Sequence, residues 1–355
     1  MQRVCAGYRV PLFDLLDGVL PGGLNLYAGD PRPDEMIDQS RKPQKADFYH
    51  GRNVHLFSGR FYFCLQQDVL NWLKQTDPRV LIMEANMRYL SSPSAADWMH
   101  RRGRPVIGWG LGTGATGGVL LKRHLKRFDA LITYSSAGKQ SYIAAGFPEE
   151  RIFTACNAAV SRPSRPMPER PPQYDGQPVV LYVGRLQARK RLDLLMQACA
   201  DQPEGLHPRL WIVGDGPVRA ELEAAAAALY PQTEFFGALY GDELTAHFDR
   251  ADLFVLPGTG GLALQQAMAS ALPLIAAEAD GTQADLARKE NGIQVTPGNL
   301  DELTAAITAM LTDPAKLRRM GRESFRIVRD EINLEAMADV FRQAVDLVSE
   351  EGLRK

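Results

Sequence analysis

The sequence has few of the features that mark metalloproteins, disulfide-stapled proteins or membrane-spanning proteins. Its four cysteines (Cys5, Cys64, Cys156 and Cys199) are widely scattered, and no two of them form a C-x-x-C pair. The six histidines show no metal-binding spacing, so we expect neither a disulfide framework nor a bound metal. No stretch reaches the roughly 18 uninterrupted apolar residues that a membrane-spanning helix needs.

An excess of charge is also lacking. With a net charge of -1, the chain has no overall attraction to nucleic acid or anionic lipid, and we expect no nucleic-acid partner. The first residues contain Arg9, Asp14 and Asp17, which interrupt any apolar run of the kind found in secretion signals. Together with the scattered cysteines, this predicts a cytoplasmic protein.

The chain is long enough for two domains, because 355 residues exceed what one hydrophobic core usually stabilises. Its prolines are densest in SRPSRPMPERPPQYDGQP, residues 161–178, where they can neither continue a helix nor donate to a sheet. The sequence therefore predicts a first domain at 1–160, a stiff connector and hinge at 161–178, and a second domain at 179–332. A last helical pattern, at 333–355, is predicted to pack back on the first domain.

Short apolar runs alternate with helical patterns on both sides of this connector. The main strands are predicted at 80–83, 105–109, 130–134, 179–183, 209–213, 253–256 and 273–276. Strands that alternate with helices in this way predict parallel sheets covered by helices on both faces, which is the α/β class.

The most specific chemical signal follows the predicted strand at 179–183. Gly184 ends this strand, and the cations Arg185 and Lys190 return to its carboxyl edge, where parallel α/β sheets bind ligands. An arginine and a lysine beside a helix N-terminus can hold a diphosphate. Taken alone, the same residues also suit an ordinary solvated turn.

A glycine-rich loop, which we define as residues 258–262, follows the predicted strand at 253–256 and opens the next helix. Its glycines let backbone amides approach a ligand, and the start of a helix favours anions. The turn V-G-D-G-P at 213–217 has the same strand-to-helix form. As structure alone, both are plain turns between a strand and a helix.

In order and spacing, these elements resemble the C-terminal half of retaining GT-B glycosyltransferases of family 4 (glycosyl transferases group 1). The matching stretches are G-R-L-x-x-x-K at 184–190, V-G-D-G-P at 213–217, F-x-G at 235–237, A-D-L-F-V-L-P at 251–257 and A-M-A-x-x-x-P at 267–273. The first half resembles the family more weakly, at 109–112, 128–135 and 149–157. The resemblance implies a GT-B fold, an α/β architecture in which two Rossmann-like α/β/α domains face each other across a cleft.

Carried over residue by residue, the resemblance implies a donor site in the second domain. Arg185 and Lys190 would be the catalytic pair that binds the donor diphosphate. Two further residues, Phe236 and Gly237, would line the nucleobase, and Gln266 would face the ribose. The other donor-binding residues would be Gly184, Gly258, Thr259, Gly260, Gly261 and Leu262.

The reaction implied by the resemblance moves a sugar from a UDP- or GDP-sugar to a hydroxyl of a glycan or lipid-linked acceptor, as in polysaccharide biosynthesis. It retains the anomeric configuration and uses neither a metal nor another cofactor. This chain departs from the family at two places. Gly258 and Gln266 stand where the family usually carries an E-x7-E pair, and Leu111 replaces a His in the W-G-x-G turn. Amides of the glycine-rich loop would then have to hold the sugar.

Acceptor contacts are predicted from the first domain. Glu84, Asn86 and Arg88 follow a predicted strand and offer a carboxylate, an amide and a guanidinium. A loop network would use the same groups, so both interpretations stay open. Trp109 and Arg9 are two further candidates for acceptor contact.

The helical pattern at 120–128, LLKRHLKRF, alternates cations with apolar residues. This pattern suits an anionic membrane surface, and it would make the cytoplasmic protein peripheral on the inner face of the membrane. An ordinary amphipathic surface helix is the alternative.

Two other functions are open. The pattern G-x-G-x-x-G at 112–117 is typical of NAD-dependent enzymes, but the next strand ends at 133–136 without the acidic residue that such a site uses for ribose. A non-catalytic protein that binds a nucleotide or glycan is also open, because the family's usual Glu and His are missing.

Overall fold

The computed structural model describes residues 1–35, 37–114 and 118–353, with side chains up to residue 350. The chain divides into two compact units. The first unit comprises Met1–Ala159 and Leu334–Lys355, and the second unit is Val160–Asn333.

The first unit is built on a parallel sheet in the order β5-β6-β7-β8, with a parallel pair β1-β2 and an antiparallel hairpin β3-β4 beside it in the chain. The strands are β1 (Asn25–Ala28), β2 (Asp47–His50), β3 (Asn53–Leu56), β4 (Phe63–Gln66), β5 (Leu81–Glu84), β6 (Val106–Gly110), β7 (Ala130–Thr133) and β8 (Ile152–Thr154). The helices are α1 (Val10–Val19), α2 (Val69–Thr76), α3 (Ser92–His100), α4 (Val119–Leu125) and α5 (Ser136–Ala144).

The second unit has one parallel sheet in the order β11-β10-β9-β12-β13-β14. Its strands are β9 (Val179–Val183), β10 (Arg209–Val213), β11 (Thr233–Gly237), β12 (Leu253–Leu256), β13 (Leu274–Ala277) and β14 (Gly292–Val295). Its helices are α6 (Leu192–Ala200), α7 (Arg219–Leu229), α8 (Gly241–Arg250), α9 (Leu262–Ala269), α10 (Gln283–Leu286), α11 (Leu300–Leu311) and α12 (Pro314–Asp330). The predicted α/β class with parallel sheets is confirmed, and the seven predicted strands begin within one residue of their predicted starts.

The C-terminal helix α13 (Leu334–Leu353) belongs to the first unit. Its Met337, Phe341 and Ala344 are buried in the same hydrophobic cluster as Leu12 and Leu16 of α1. Their burial removes apolar surface from water, which is the main favourable term in docking a helix. The C-terminal helix therefore packs on the unit formed by the N-terminal part of the chain.

The proline-rich segment at 161–178 differs from the predicted connector, because it lies against the second unit. Arg165 forms a two-pronged ion pair with Asp249, with N–O distances of 2.5 and 2.7 Å. Arg170 donates to the carbonyl oxygens of Phe248 and Ala251, each at 2.8 Å. Prolines predict a lack of regular structure, but they do not reveal side chains that tie a segment down.

No helix in the described ranges is both long enough and apolar enough to cross a bilayer.

Candidate functional site

The strand order of the second unit reverses on either side of β9. From β9 the chain builds β10 and β11 on one side, and then returns to place β12, β13 and β14 on the other. Because β9 and β12 are neighbours in parallel register, the turns at their carboxyl ends lie side by side. Ligands of open α/β sheets bind at such a switch point. The turn after β9, which carries the predicted cations, and the glycine-rich loop after β12 therefore meet there.

Lys190 lies inside this switch point. It ends a short 3-10 helix, Ala188–Lys190, and its side chain is buried. The Lys190 Nζ donates a hydrogen bond to the carbonyl oxygen of Thr259 in the glycine-rich loop. Burial and, secondarily, the nearby Arg189 lower the pKa of the Lys190 ammonium to about 8. The ammonium is therefore charged at neutral pH but easily titrated.

Arg185 follows β9 directly, after Gly184, and its side chain is exposed at the carboxyl edge. The turn after β10 crosses very close to it, since a Cβ on Gly214 would lie 2.9 Å from the carbonyl carbon of Gly184. Only glycine fits at this crossing. The first glycine of V-G-D-G-P thus lets two strand-end turns approach each other.

Gly258 lies at a point of the glycine-rich loop where a side chain would collide with a neighbouring turn. A Cβ at this position would lie 2.7 Å from the carbonyl carbon of Lys190 and 2.8 Å from its Cα. Both are backbone atoms that cannot rotate away. The loop therefore packs directly on the Lys190 segment, and the amide of Thr259 donates to the carbonyl of Arg189 at 3.3 Å.

Two polar residues at this site were not predicted from the sequence. Arg189 donates from Nη1 to the hydroxyl of Thr259 at 2.8 Å. Gln283, at the start of α10, donates from Nε2 to the carbonyl of Gly260 at 2.7 Å. Arg189 is next to the predicted Lys190 in the sequence, which was a usable signal, whereas Gln283 begins the short helix α10, which has no motif of its own.

The remaining predicted donor residues lie at the same edge of the sheet or on α9. Phe236 is half-buried and packs edge-on against His247, with ring centroids 4.5 Å apart. Gly237 ends β11 with φ of 70°. Leu262 is the first residue of α9, and Gln266 is exposed one turn later.

Among the acceptor candidates, Glu84 is the last residue of β5, and Asn86 and Arg88 follow it. Glu84 accepts a hydrogen bond from the backbone amide of Arg3 at 2.7 Å, and Asn86 accepts one from the amide of Arg88 at 3.0 Å. Glu84 and Asn86 thus hold backbone, while the Arg88 side chain is exposed. The structure supports a loop network here and leaves Arg88 as the side chain with open surface.

Trp109 and Arg9 differ from their prediction as acceptor residues, because both are buried. Only 2% of Trp109 is exposed, and its indole packs edge-on against Phe341 of α13 at 4.8 Å. Arg9 is 8% exposed and donates to the Asn157 side chain at 2.5 Å. Its guanidinium also lies over the rings of Trp109 and Tyr134. Packing under α13 leaves neither side chain with an exposed face.

Helix α4 covers most of the predicted membrane-binding pattern at 120–128. Leu121, His124 and Leu125 are buried, and burial lowers the pKa of His124 to about 4. Leu120 is 77% exposed, and Val119 before it is 82% exposed. The helix therefore has a packed face and an exposed apolar end beside its cations.

The competing G-x-G-x-x-G pattern falls partly on residues 115–117, outside the described residues.

Among the residues that the structure describes, no three His, Cys, Asp or Glu side chains are grouped closely enough to hold a metal ion.

Known proteins are similar to this chain in sequence and in fold. The family described as "Glycosyl transferases group 1" matches residues 165–326. A GDP-mannose-dependent alpha-mannosyltransferase of Mycobacterium tuberculosis is 34% identical over 186 residues, 50% of this chain and 47% of the relative. A sulfoquinovosyl transferase of Arabidopsis thaliana is 32% identical over 142 residues, 38% of this chain and 27% of the relative. The chain thus spans less than half the length of these two curated relatives.

Solved structures show the same fold over the whole chain. Anabaena HepE, crystallised with UDP, has a TM-score of 0.69 and 17% sequence identity, with 98% of each chain covered. The lipopolysaccharide outer core galactosyltransferase WaaB has a TM-score of 0.70 and 18% identity, also with 98% of each chain covered. Residues 165–326 therefore form a glycosyl transferases group 1 domain, in a chain that has the GT-B fold.

Proposed function

We propose that this protein is a retaining glycosyltransferase that moves a sugar from a UDP- or GDP-sugar to a hydroxyl of a glycan or lipid-linked acceptor, without a metal. The observation that carries the proposal is the meeting of Lys190 and the glycine-rich loop at the switch point, where Arg185 follows the same strand β9. Buried positive charge and free helix-end amides suit a diphosphate that gains charge as it leaves.

The donor class is supported by the names of similar proteins. One relative is called GDP-mannose-dependent, and structures of Anabaena HepE contain UDP or UDP-glucose. These names describe those proteins, so the base and sugar used by this chain remain part of the proposal.

In the proposed mechanism the acceptor hydroxyl attacks the anomeric carbon on the face from which the diphosphate departs. The bond between the anomeric carbon and the diphosphate oxygen breaks, and the hydroxyl proton passes to the leaving phosphate. Arg185 and Lys190 then stabilise the negative charge that collects on the diphosphate. Retention and metal independence come from the family resemblance.

The acceptor would contact the first unit through Arg88, which is exposed at the carboxyl end of β5. If the acceptor is lipid-linked, the exposed Val119 and Leu120 with the cations Lys122, Arg123 and Lys126 would contact an anionic membrane surface. Pelleting with anionic liposomes that is unchanged by reversing these three charges would remove the membrane contact from the proposal.

A thermal-shift screen of UDP, GDP, their sugar conjugates and NAD tests the donor site. A ligand at about 100 times its Kd adds roughly 2.7 kcal/mol to the free energy of unfolding, which raises the melting temperature by several degrees. We expect UDP or GDP to give this shift and NAD to give none. A shift with NAD alone would replace the proposal with the nicotinamide-binding alternative. Binding without turnover of any mass-tagged sugar nucleotide would favour the non-catalytic alternative.

The affinity for the nucleoside diphosphate should depend on pH through Lys190. Its pKa of about 8 without ligand is depressed, and a bound diphosphate would raise it by attraction. Binding is therefore strongest below pH 8 and weakens as the pH rises through 8, by up to about tenfold per unit. Isothermal titration calorimetry of UDP or GDP checks this, and an affinity for the wild-type protein that rises above pH 8 would contradict it.

Gly258 should tolerate neither the family's glutamate nor even alanine. Because a Cβ would meet the Lys190 backbone, the substitutions Gly258→Glu and Gly258→Ala must displace the glycine-rich loop. We expect both to weaken binding of UDP or GDP by about tenfold or more, since displaced amides no longer meet the ligand. Gly18→Ala is the control, because a Cβ there has no neighbour within 4 Å. Donor binding improved by Gly258→Glu would refute this reading of the loop.

A further inference from the structure

Gln283 is a polar side chain buried without an obvious reason for being buried. It is 1% exposed, and its Oε1 has no hydrogen-bond partner in the described part of the chain. Its one recorded bond runs from Nε2 to the carbonyl oxygen of Gly260, 2.7 Å away. The opposite amide orientation would set two oxygens against each other. Burying an amide group that makes a single hydrogen bond costs free energy. The bond to the glycine-rich loop is therefore the contribution of this side chain.

The bond from Gln283 is one of two that hold successive carbonyls of the loop. Lys190 holds the carbonyl of Thr259 from the β9 turn, and Gln283 holds the carbonyl of Gly260 from α10. In a trans peptide the following N–H points opposite to the carbonyl. The N–H of Gly260 is therefore turned away from Lys190, and the N–H of Gly261 is turned away from Gln283.

These two amides are among the loop's N–H donors that have no backbone acceptor in the described part of the chain. Neither the Gly260 nor the Gly261 N–H has a backbone partner within the described ranges, and α9 begins at the next residue. Free N–H groups at the start of a helix bind anions. Gly258 leaves no room for a side chain that could take their place.

We propose that Gln283 is a positioning residue, which holds the Gly260 carbonyl so that the amides of Gly260 and Gly261 face the sugar-bearing phosphate of the donor. This inference rests on the proposed function, because it assumes that the ligand at the switch point is a nucleoside diphosphate. Gln283 acts through the loop and does not itself touch the donor. In this arrangement, the amides of Gly260 and Gly261 take the place of the carboxylate for which position 258 has no room.

The test uses Gln283→Glu, whose ability to hold the loop depends on its own protonation. A protonated carboxyl group donates to the Gly260 carbonyl as the amide does, whereas a carboxylate repels that carbonyl. Burial favours the protonated form, so the switch falls in an accessible pH range. We expect the Kd for UDP or GDP to match that of the wild-type protein at low pH. At neutral to mildly alkaline pH we expect it to be at least tenfold weaker than wild type.

Two other variants complete the experiment. Gln283→Leu has no donor and should bind at least tenfold more weakly than wild type at every pH. Gln202→Glu is the matched control, because Gln202 is also buried and donates to a backbone carbonyl, that of Ala198, at 2.8 Å. Its affinity relative to wild type should not follow the pH, even if its melting temperature does.

Each result bears on the inference separately from the proposed function. A Gln283→Glu protein that stays folded and follows the wild-type affinity at every pH would overturn the positioning role. So would a Gln283→Leu protein that binds as the wild type does. If the wild-type protein binds neither UDP nor GDP, the proposed function itself fails, and the positioning role falls with it.

Discussion

Replacing Lys190 with alanine is expected to lower the rate of sugar transfer by about a hundredfold or more at saturating donor. The Lys190 ammonium is buried beside the glycine-rich loop, where water screens charge poorly. Removing it takes away both the cation that we propose to face the leaving diphosphate and the bond that holds the Thr259 carbonyl. A donor lost from a preorganised anion site usually costs about 3–4 kcal/mol of transition-state stabilisation. The measurement is kcat with a mass-tagged sugar nucleotide.

Arg185→Ala should lower the rate of sugar transfer by the same order of magnitude, because Arg185, like Lys190, follows β9 at the carboxyl edge of the sheet. Arg209→Ala is the control, since Arg209 starts β10 at the opposite edge of the sheet and pairs with Glu234 at 2.6 Å. It should keep nearly the full rate. If Lys190→Ala and Arg185→Ala both turn over at near-normal rates, the diphosphate does not bind at this switch point.

The sheet of the second unit was predictable because its strands are buried on both faces. Val179–Val183 and Leu253–Leu256 are buried at every position, and such strands appear in a sequence as unbroken apolar runs. The edge strand Thr233–Gly237 is only half-buried along its length, and it was predicted only as part of a motif. Burial on one face or at an edge weakens the pattern that reveals a strand.

The candidate site was predictable as far as each group lies in a turn next to a predicted strand. Lys190 and Gly258 lie in the segments that connect β9 and β12 to the helices after them, so the rule that ligands bind at carboxyl edges locates them. Gln283 was not predictable, because its role depends on one hydrogen bond to a loop 23 residues earlier in the chain. No local pattern encodes a contact at that distance.

Trp109 and Arg9 were predicted to contact the acceptor because local sequence does not reveal contacts with distant parts of the chain. Local sequence shows that Trp109 ends a strand, but it does not show that Phe341, from the far end of the chain, packs on the indole. A helix that returns from the C-terminus can bury groups that otherwise look like site residues. The connector at 161–178 is a parallel case, since its arginines bind groups on α8 and beyond.

Asp252 of the A-D-L-F-V-L-P stretch is expected to be among the most sensitive positions for the stability of the second unit. Its carboxylate accepts from the backbone amide of Val179 at 2.8 Å and pairs with Arg318 at 2.7 Å. Both side chains are almost fully buried, at 13% and 9% exposed. Arg170 is a second buried cation near this pair. Burial and, secondarily, repulsion from Arg318 lower the pKa of the Arg170 guanidinium to about 10. Asp252 therefore balances positive charge that has little access to water.

Replacing Asp252 with alanine should lower the free energy of unfolding by about 3–5 kcal/mol, because it leaves the Arg318 guanidinium buried and unpaired. For a unit of this size that corresponds to a fall in melting temperature of roughly 10 °C. Asp193→Ala is the control: its ion pair with Arg191 is exposed, so it should cost less than about 1 kcal/mol. A double variant, Asp252→Ala with Arg318→Met, should recover much of the loss, since it removes the stranded charge. Thermal denaturation followed by circular dichroism measures all three, and a single Asp252→Ala variant as stable as the control would show that Arg318 finds water or another partner.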